Sequence, residues 1–239
     1  MDNSLMVQLI GEFLGTAMLI LLGDGVVAAV SLKKSKAEGA GWIAIALGWG
    51  LAVTIAVYCS NFMSAAHLNP AVTLGMAIAG SFSWSYVVPY IIAQVLGGLL
   101  GGILVWIHYY PHWQETKDEA TILGIFATGP AIRNYAANFI SEFVGTFVLV
   151  FALLAFSKTQ FAGGMNPVAV GVLITAIGFS LGGTTGYAIN PARDLGPRIA
   201  HQILPIANKG ASDWSYSWVP VFGPLAGGAV AALVYGLVA

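Results

Sequence analysis

Six stretches of this chain are long, apolar and almost free of charge, at approximately Val7–Leu32, Gly41–Cys59, Tyr86–Tyr109, Asn134–Phe156, Pro167–Gly183 and Trp218–Val238. A helix needs roughly 20 apolar residues to cross a hydrocarbon core of about 30 Å. Where no water reaches the backbone, a helix is one of the few structures that satisfies its own polar groups. The rest of the chain offers no alternative. Only 8% of its 239 residues are charged, against roughly a quarter in soluble domains. That is too sparse a polar skin for a soluble enzyme, and no run is basic enough to neutralise a row of phosphates, so no nucleic-acid partner is expected. Cys59 stands alone, which excludes an internal disulfide framework and a Cys-based metal site. The first span is too long, and starts too near the N-terminus, for a cleaved signal peptide. Trp and Tyr gather at span ends, among them Trp42, Tyr109, Tyr110, Trp113, Trp214, Tyr216 and Trp218, as an interfacial belt requires. The expected class is a polytopic all-α protein of the cell membrane, in contact with lipid.

Two further apolar stretches, Asn69–Ser81 and Asn190–Ile203, are too short to span, and both open with Asn-Pro-Ala. Asn is a strong helix N-cap, and Pro at the first helical position has no N–H to lose. Each stretch therefore predicts a half-helix starting inside the membrane, from a loop that must line a cavity or be buried.

The spans also repeat. Gly11-Glu12-Phe13-Leu14-Gly15-Thr16 returns as Ser141-Glu142-Phe143-Val144-Gly145-Thr146, an offset of 130, and Asn69-Pro70-Ala71 returns as Asn190-Pro191-Ala192, an offset of 121. Each half holds three spans, an odd number, so the second half enters the membrane from the opposite side. The chain reads as one channel domain over residues 1–239, with inverted repeats at approximately 1–110 and 130–239. The two half-helices then approach from opposite faces, N-terminus to N-terminus.

On these motifs, from Ala66-His67-Leu68-Asn69-Pro70-Ala71-Val72-Thr73 to Gly186-Tyr187-Ala188-Ile189-Asn190-Pro191-Ala192-Arg193-Asp194, the chain resembles the aquaporin family over almost its whole length. Within the family it is most similar to the aquaglyceroporins, or glycerol facilitators. Asp194 directly follows Arg193, Arg198 lies just beyond, and Pro220-Val221 stands where water-selective relatives tend to carry two aromatics. The resemblance implies a passive channel for glycerol, other small neutral solutes and water. It also implies a homotetramer with a pore in each protomer, and no cofactor or metal.

Two helix N-termini meeting at the midplane place about half a positive charge each there, which repels cations and hydronium. Asn69 and Asn190 can each offer a side-chain N–H to a passing hydroxyl, breaking the orientation a proton relay needs; the plainer role of each is an N-cap. The position three residues after Asn190 is Arg193, and after Asn69 it is Val72, so one end of the pore carries a guanidinium with up to five donors. An intramembrane Arg ordinarily faces a cavity or snorkels to the interface. The resemblance brings Trp49, Gly178 and Tyr187 to the same constriction. Where water-selective relatives tend to have His, Gly178 leaves room for Trp49 and Tyr187 to form an aromatic corner opposite Arg193. Glycines are otherwise common here as packing residues (Gly97, Gly98, Gly101, Gly102, Gly223, Gly227).

Glu12 and Glu142, matched in the repeat, are expected to accept hydrogen bonds from the re-entrant loops, and Asp194 is grouped with them as a loop brace; a carboxylate that binds a coupling proton is the competing reading. His67 lines the other vestibule or is a satisfied core histidine. Asp24 is expected near the far interface and has no assigned role. His108, His112 and His201 are too scattered for a metal site. Family topology puts both termini inside. That leaves Lys33, Lys34, Lys36, Lys117, Arg133 and Lys209 outside and Lys158 inside, against the positive-inside rule. The rival functions are a water-selective channel, a proton-coupled transporter and a closed, structural membrane protein.

Overall fold

A computed structural model describes residues 3–239, and their regular structure is helical. The helices are α1 (Leu5–Ser31), α2 (Gly41–Ser60), α3 (Pro70–Ile78), α4 (Trp84–His108), α5 (Glu119–Phe126), α6 (Tyr135–Phe156), α7 (Asn166–Leu181), α8 (Pro191–Ile203) and α9 (Trp218–Val238). Five of these, α1, α2, α4, α6 and α9, are long and apolar enough to cross a membrane. The sixth span is shorter than its apolar run suggests: α7 has 16 residues, about 24 Å at 1.5 Å per residue. It stops because Gly182 and Gly183 begin the second re-entrant loop, and the Gly182 carbonyl accepts from the Gly186 amide at 2.9 Å. A side chain at Gly182 would meet the Tyr187 ring at 2.5 Å, so the loop can fold back over the helix end only because none is there.

One helix was not anticipated. Asp118 caps α5 by accepting from the Thr121 amide at 2.8 Å, and Ile122, Ile125 and Phe126 are fully buried under it. This amphipathic turn roofs the end of the bundle between the two halves.

The duplicated sequence folds twice. α1 packs along α4 as α6 does along α9, and each half-helix leans on the other half, α3 against α9 and α8 against α4. Glycines permit both crossings. A Cβ at Gly98 would lie 2.6 Å from the Ala192 carbonyl oxygen, and one at Gly228 would lie 2.8 Å from that of Ala71. Where α2 meets α7, Gly50 faces Thr175 and Gly171 faces Thr54, and the hydroxyl of Thr54 donates to Gly50 O as that of Thr175 does to Gly171 O, both at 3.0 Å. That reciprocal contact marks the pseudo-two-fold axis. The outer surface carries exposed Ile43, Leu51, Ile92, Val172 and Leu233, the face a lipid-embedded bundle presents.

Candidate pore and constriction

The half-helices α3 and α8 begin at Asn69 and Asn190, both buried and extended in backbone. Each Oδ1 caps its own helix, Asn69 accepting from Ala71 N at 2.8 Å and Asn190 from Ala192 N at 3.0 Å and Arg193 N at 3.2 Å. Each Nδ2 reaches across the molecule: Asn69 donates to Ile189 O and Asn190 to Leu68 O, both at 2.8 Å. One N–H of each amide is thus spent on locking the halves together and one remains. Both asparagines line a cavity of about 270 Å³ that runs between the halves.

The loops before the half-helices are strained in the same way. Ala66 and Leu68 have φ of 49° and 52°, and their repeat partners Tyr187 and Ile189 have 38° and 44°. Left-handed backbone at a non-glycine residue persists only where its surroundings enforce it. Here the glutamates do so. Glu12 accepts from the amides of His67 (3.0 Å) and Leu68 (2.8 Å) and from the Ser64 hydroxyl (2.8 Å). Glu142 accepts from the amides of Ala188 (3.0 Å) and Ile189 (2.8 Å) and from the Thr185 hydroxyl (2.6 Å). With these N–H groups turned to the carboxylates, the loops are held along the cavity, which Ala65 to Leu68 and Gly186 to Ile189 line. Glu12 has a fourth donor that sequence reasoning missed, the Gln94 amide, which bonds both Glu12 and Thr73, at 2.8 and 2.9 Å. A Gln in the middle of an apolar span was the available signal.

Trp49, Tyr187 and Arg193 all stand on the cavity wall. The Arg193 guanidinium carbon sits over the Trp49 ring, 4.2 Å from its centroid, a cation–π contact. The guanidinium therefore lies on the face of Trp49, and the expectation of an aromatic corner opposite it is corrected. Tyr187 packs edge-on against Trp42 instead, at 5.7 Å between centroids. Gly178 is not on the cavity wall. A Cβ there would be 2.9 Å from both Cζ and Oη of Tyr187, so Gly178 provides the space into which the tyrosine ring withdraws. Its carbonyl accepts from the Trp42 indole at 2.9 Å.

Asp24 is not exposed at the end of its span. It is fully buried, because α1 continues to Ser31 and the end of α4 covers it, with the Tyr109 hydroxyl bonded to Gly25 O at 3.2 Å. Its Oδ1 lies 3.3 Å from Arg193 Nη1.

Asp194 accepts from the Thr128 amide and hydroxyl, both at 2.8 Å, and pairs with Arg198 at 2.7 Å. Arg198 in turn donates to the carbonyls of Ser212 and Thr128 at 2.7 and 3.0 Å, so this buried pair ties α8 to the loops on either side of it. His67 lines the cavity, its ring bonded to the Thr73 hydroxyl at 3.2 Å. His201 bonds Ser212 at 2.8 Å and His112 the Lys33 carbonyl at 3.0 Å.

Inverted half-helices meeting N-terminus to N-terminus over a continuous cavity define a membrane channel. The chain belongs to the major intrinsic protein family, whose model matches residues 2–235, and is a multi-pass protein of the cell membrane. It is 70% identical to glycerol uptake facilitator protein 3 of Lactiplantibacillus plantarum over 99% of both chains. It is 56% identical to the glycerol uptake facilitator protein of Streptococcus pneumoniae, over 98% of this chain and 100% of the other. Among solved structures it is similar to the aquaglyceroporin from Plasmodium falciparum, with a TM-score of 0.87 and 32% identity over 98% and 97% of the two chains.

Proposed function

We propose that this protein passes glycerol, other small uncharged solutes and water down their gradients, excluding ions and protons, and that it makes and breaks no bond. The observation that carries this reading is the constriction. Arg193 keeps one aromatic face under its guanidinium and makes a single side-chain hydrogen bond, to Phe126 O at 3.4 Å, among the described residues. Its Nε and Nη2 are left for solute hydroxyls. The Tyr187 ring and apolar neighbours such as Leu19 and Ile174 supply a wall for a carbon backbone. The names of the relatives support the choice of glycerol.

In this reading Asn69 and Asn190 each turn their remaining N–H into the pore at the midplane, and Pro70, Ala71, Pro191 and Ala192 start the half-helices that aim them. Trp49, Tyr187 and Arg193 form the filter, with Gly178 acting through Tyr187. His67 lines the opposite vestibule, while Glu12, Glu142 and Asp194 brace the loops. The chain works as a homotetramer in lipid, without a cofactor. Proteoliposomes shrunk osmotically and allowed to re-swell test the reading. Glycerol should re-swell them much faster than protein-free vesicles, and a larger polyol should not; glycerol re-swelling at the protein-free rate would refute it.

A further inference from the structure

We propose that Asp24 is a positioning residue of the constriction, a buried counter-ion that fixes the Arg193 guanidinium and cancels its charge towards anions. The inference rests on the reading of Arg193 as part of the filter. Asp24 is not on the cavity wall; it acts on solutes only through its partner.

Three observations place it there. First, the Asp24 side chain is completely enclosed and that of Arg193 is 7% exposed, with 3.3 Å between their charged atoms. Neither carboxylate oxygen of Asp24 has a hydrogen-bond partner among the described residues, so the guanidinium is the group it faces. The neighbouring carboxylate, Asp194, is already taken by Arg198 and Thr128. Secondly, the guanidinium is held on several sides. Trp49 lies under it, and that ring reaches its place because Gly23, beside Asp24, has no side chain to obstruct it. Asp24 and the Phe126 carbonyl both meet Nη1, so the nitrogens turned to the cavity are the unused ones.

Thirdly, the repeat departs from symmetry at both members of the pair together. The offset of 130 takes Asp24 to Leu154, and the offset of 121 takes Arg193 back to Val72. Leu154 and Val72 are buried apolar residues of the core. The half without the cation also lacks the anion. A lone guanidinium in a low-dielectric passage concentrates anions around it, whereas a paired one offers donors without a net charge. A filter for neutral hydroxyl compounds needs the second arrangement.

The test uses Asp24→Asn, which keeps the side chain's size and removes its charge, in proteoliposomes holding a chloride-quenched dye. Chloride influx, normalised to the water flux of the same vesicles, should rise about tenfold over the wild type, the lower end of charge focusing in a cleft. Influx at the wild-type rate overturns the proposal; a purely structural role would leave it unmoved. A melting cycle tests the pairing independently of transport. Asp24→Leu alone should lower the melting temperature, and Asp24→Leu with Arg193→Val, which recreates the other half's apolar pair, should recover it. A double variant no more stable than Asp24→Leu overturns the pairing. Wild-type vesicles that fail to pass glycerol would count against the function proposed above and leave the melting cycle intact.

Discussion

The side-chain amide of Asn69 donates to the backbone carbonyl of Ile189 at 2.8 Å, 120 residues away in the other half of the repeat. With its mirror, Asn190 to Leu68, this contact makes each asparagine both the cap of its own half-helix and a clamp on the opposite loop. Asn69→Ala removes a cap worth about 1 kcal/mol and strands a buried carbonyl at about 1–3 kcal/mol. Asn69→Ala and Asn190→Ala should each lower the melting temperature as well as solute flux. Loss of flux at unchanged stability would show that the clamp contributes nothing.

The two glutamates should respond unequally to neutralisation. Glu142→Gln turns an N–H₂ towards backbone donors and should cost about 1–3 kcal/mol. Glu12→Gln should cost less, because Gln94 holds a buried, unpaired Oε1 that can accept from the new amide after rotating. Thermal unfolding of both variants, and of Glu12→Gln with Gln94→Ala, checks the order. An equal loss in the two single variants would contradict it.

At Gly178, even a methyl group should act through Tyr187. Gly178→Ala pushes against Cζ and Oη at 2.9 Å, an overpacking of about 1–3 kcal/mol that is relieved by swinging the ring into the cavity. Glycerol flux should fall more than water flux, and Gly178→His should exaggerate the difference. Tyr187→Leu in the alanine background should restore glycerol passage. Equal losses of glycerol and water would remove Gly178 from selectivity.

Glycines at the crossing of α4 and α8 should be intolerant where others are indifferent. A Cβ at Gly196 would lie 2.7 Å from backbone atoms of Gly98, Leu99 and Val95, none of which can swing aside, whereas one at Gly25 meets nothing within 4 Å. Gly196→Ala should abolish the yield of folded protein. Gly25→Ala should be neutral or gain about 0.5–1 kcal/mol from helix propensity. Measurable folded yield and an unchanged melting temperature for Gly196→Ala would contradict this packing.

The spans, half-helices and inverted repeat were legible in the sequence because each depends on a local pattern: long apolar runs, Asn-Pro caps and motifs recurring at fixed offsets. What escaped was tertiary. Asp24 looks like a stray charge until α8 brings Arg193 beside it, and Gly178 looks like a pore-lining gap until Tyr187 fills the space. The α5 helix is short and lies among charges, so its capping Asp118 and apolar Ile122 and Ile125 carried too little signal. Several of the loop cations have local partners. Lys33 pairs with Glu38, Lys34 with Glu115 and Arg133 with Asp213. Lys209 donates to the carbonyls of His201, Gln202 and Leu204 at the end of α8, where a cation favours the helix dipole. A count of loop charges sees none of these pairings.

The most direct test of passive conduction is the initial rate of glycerol flux into proteoliposomes, measured against glycerol concentration with and without an imposed pH gradient. A pore gives a rate that rises linearly with concentration, far above protein-free vesicles, and ignores the gradient. A rate that saturates and follows the pH gradient, or one no higher than that of protein-free vesicles, would contradict it.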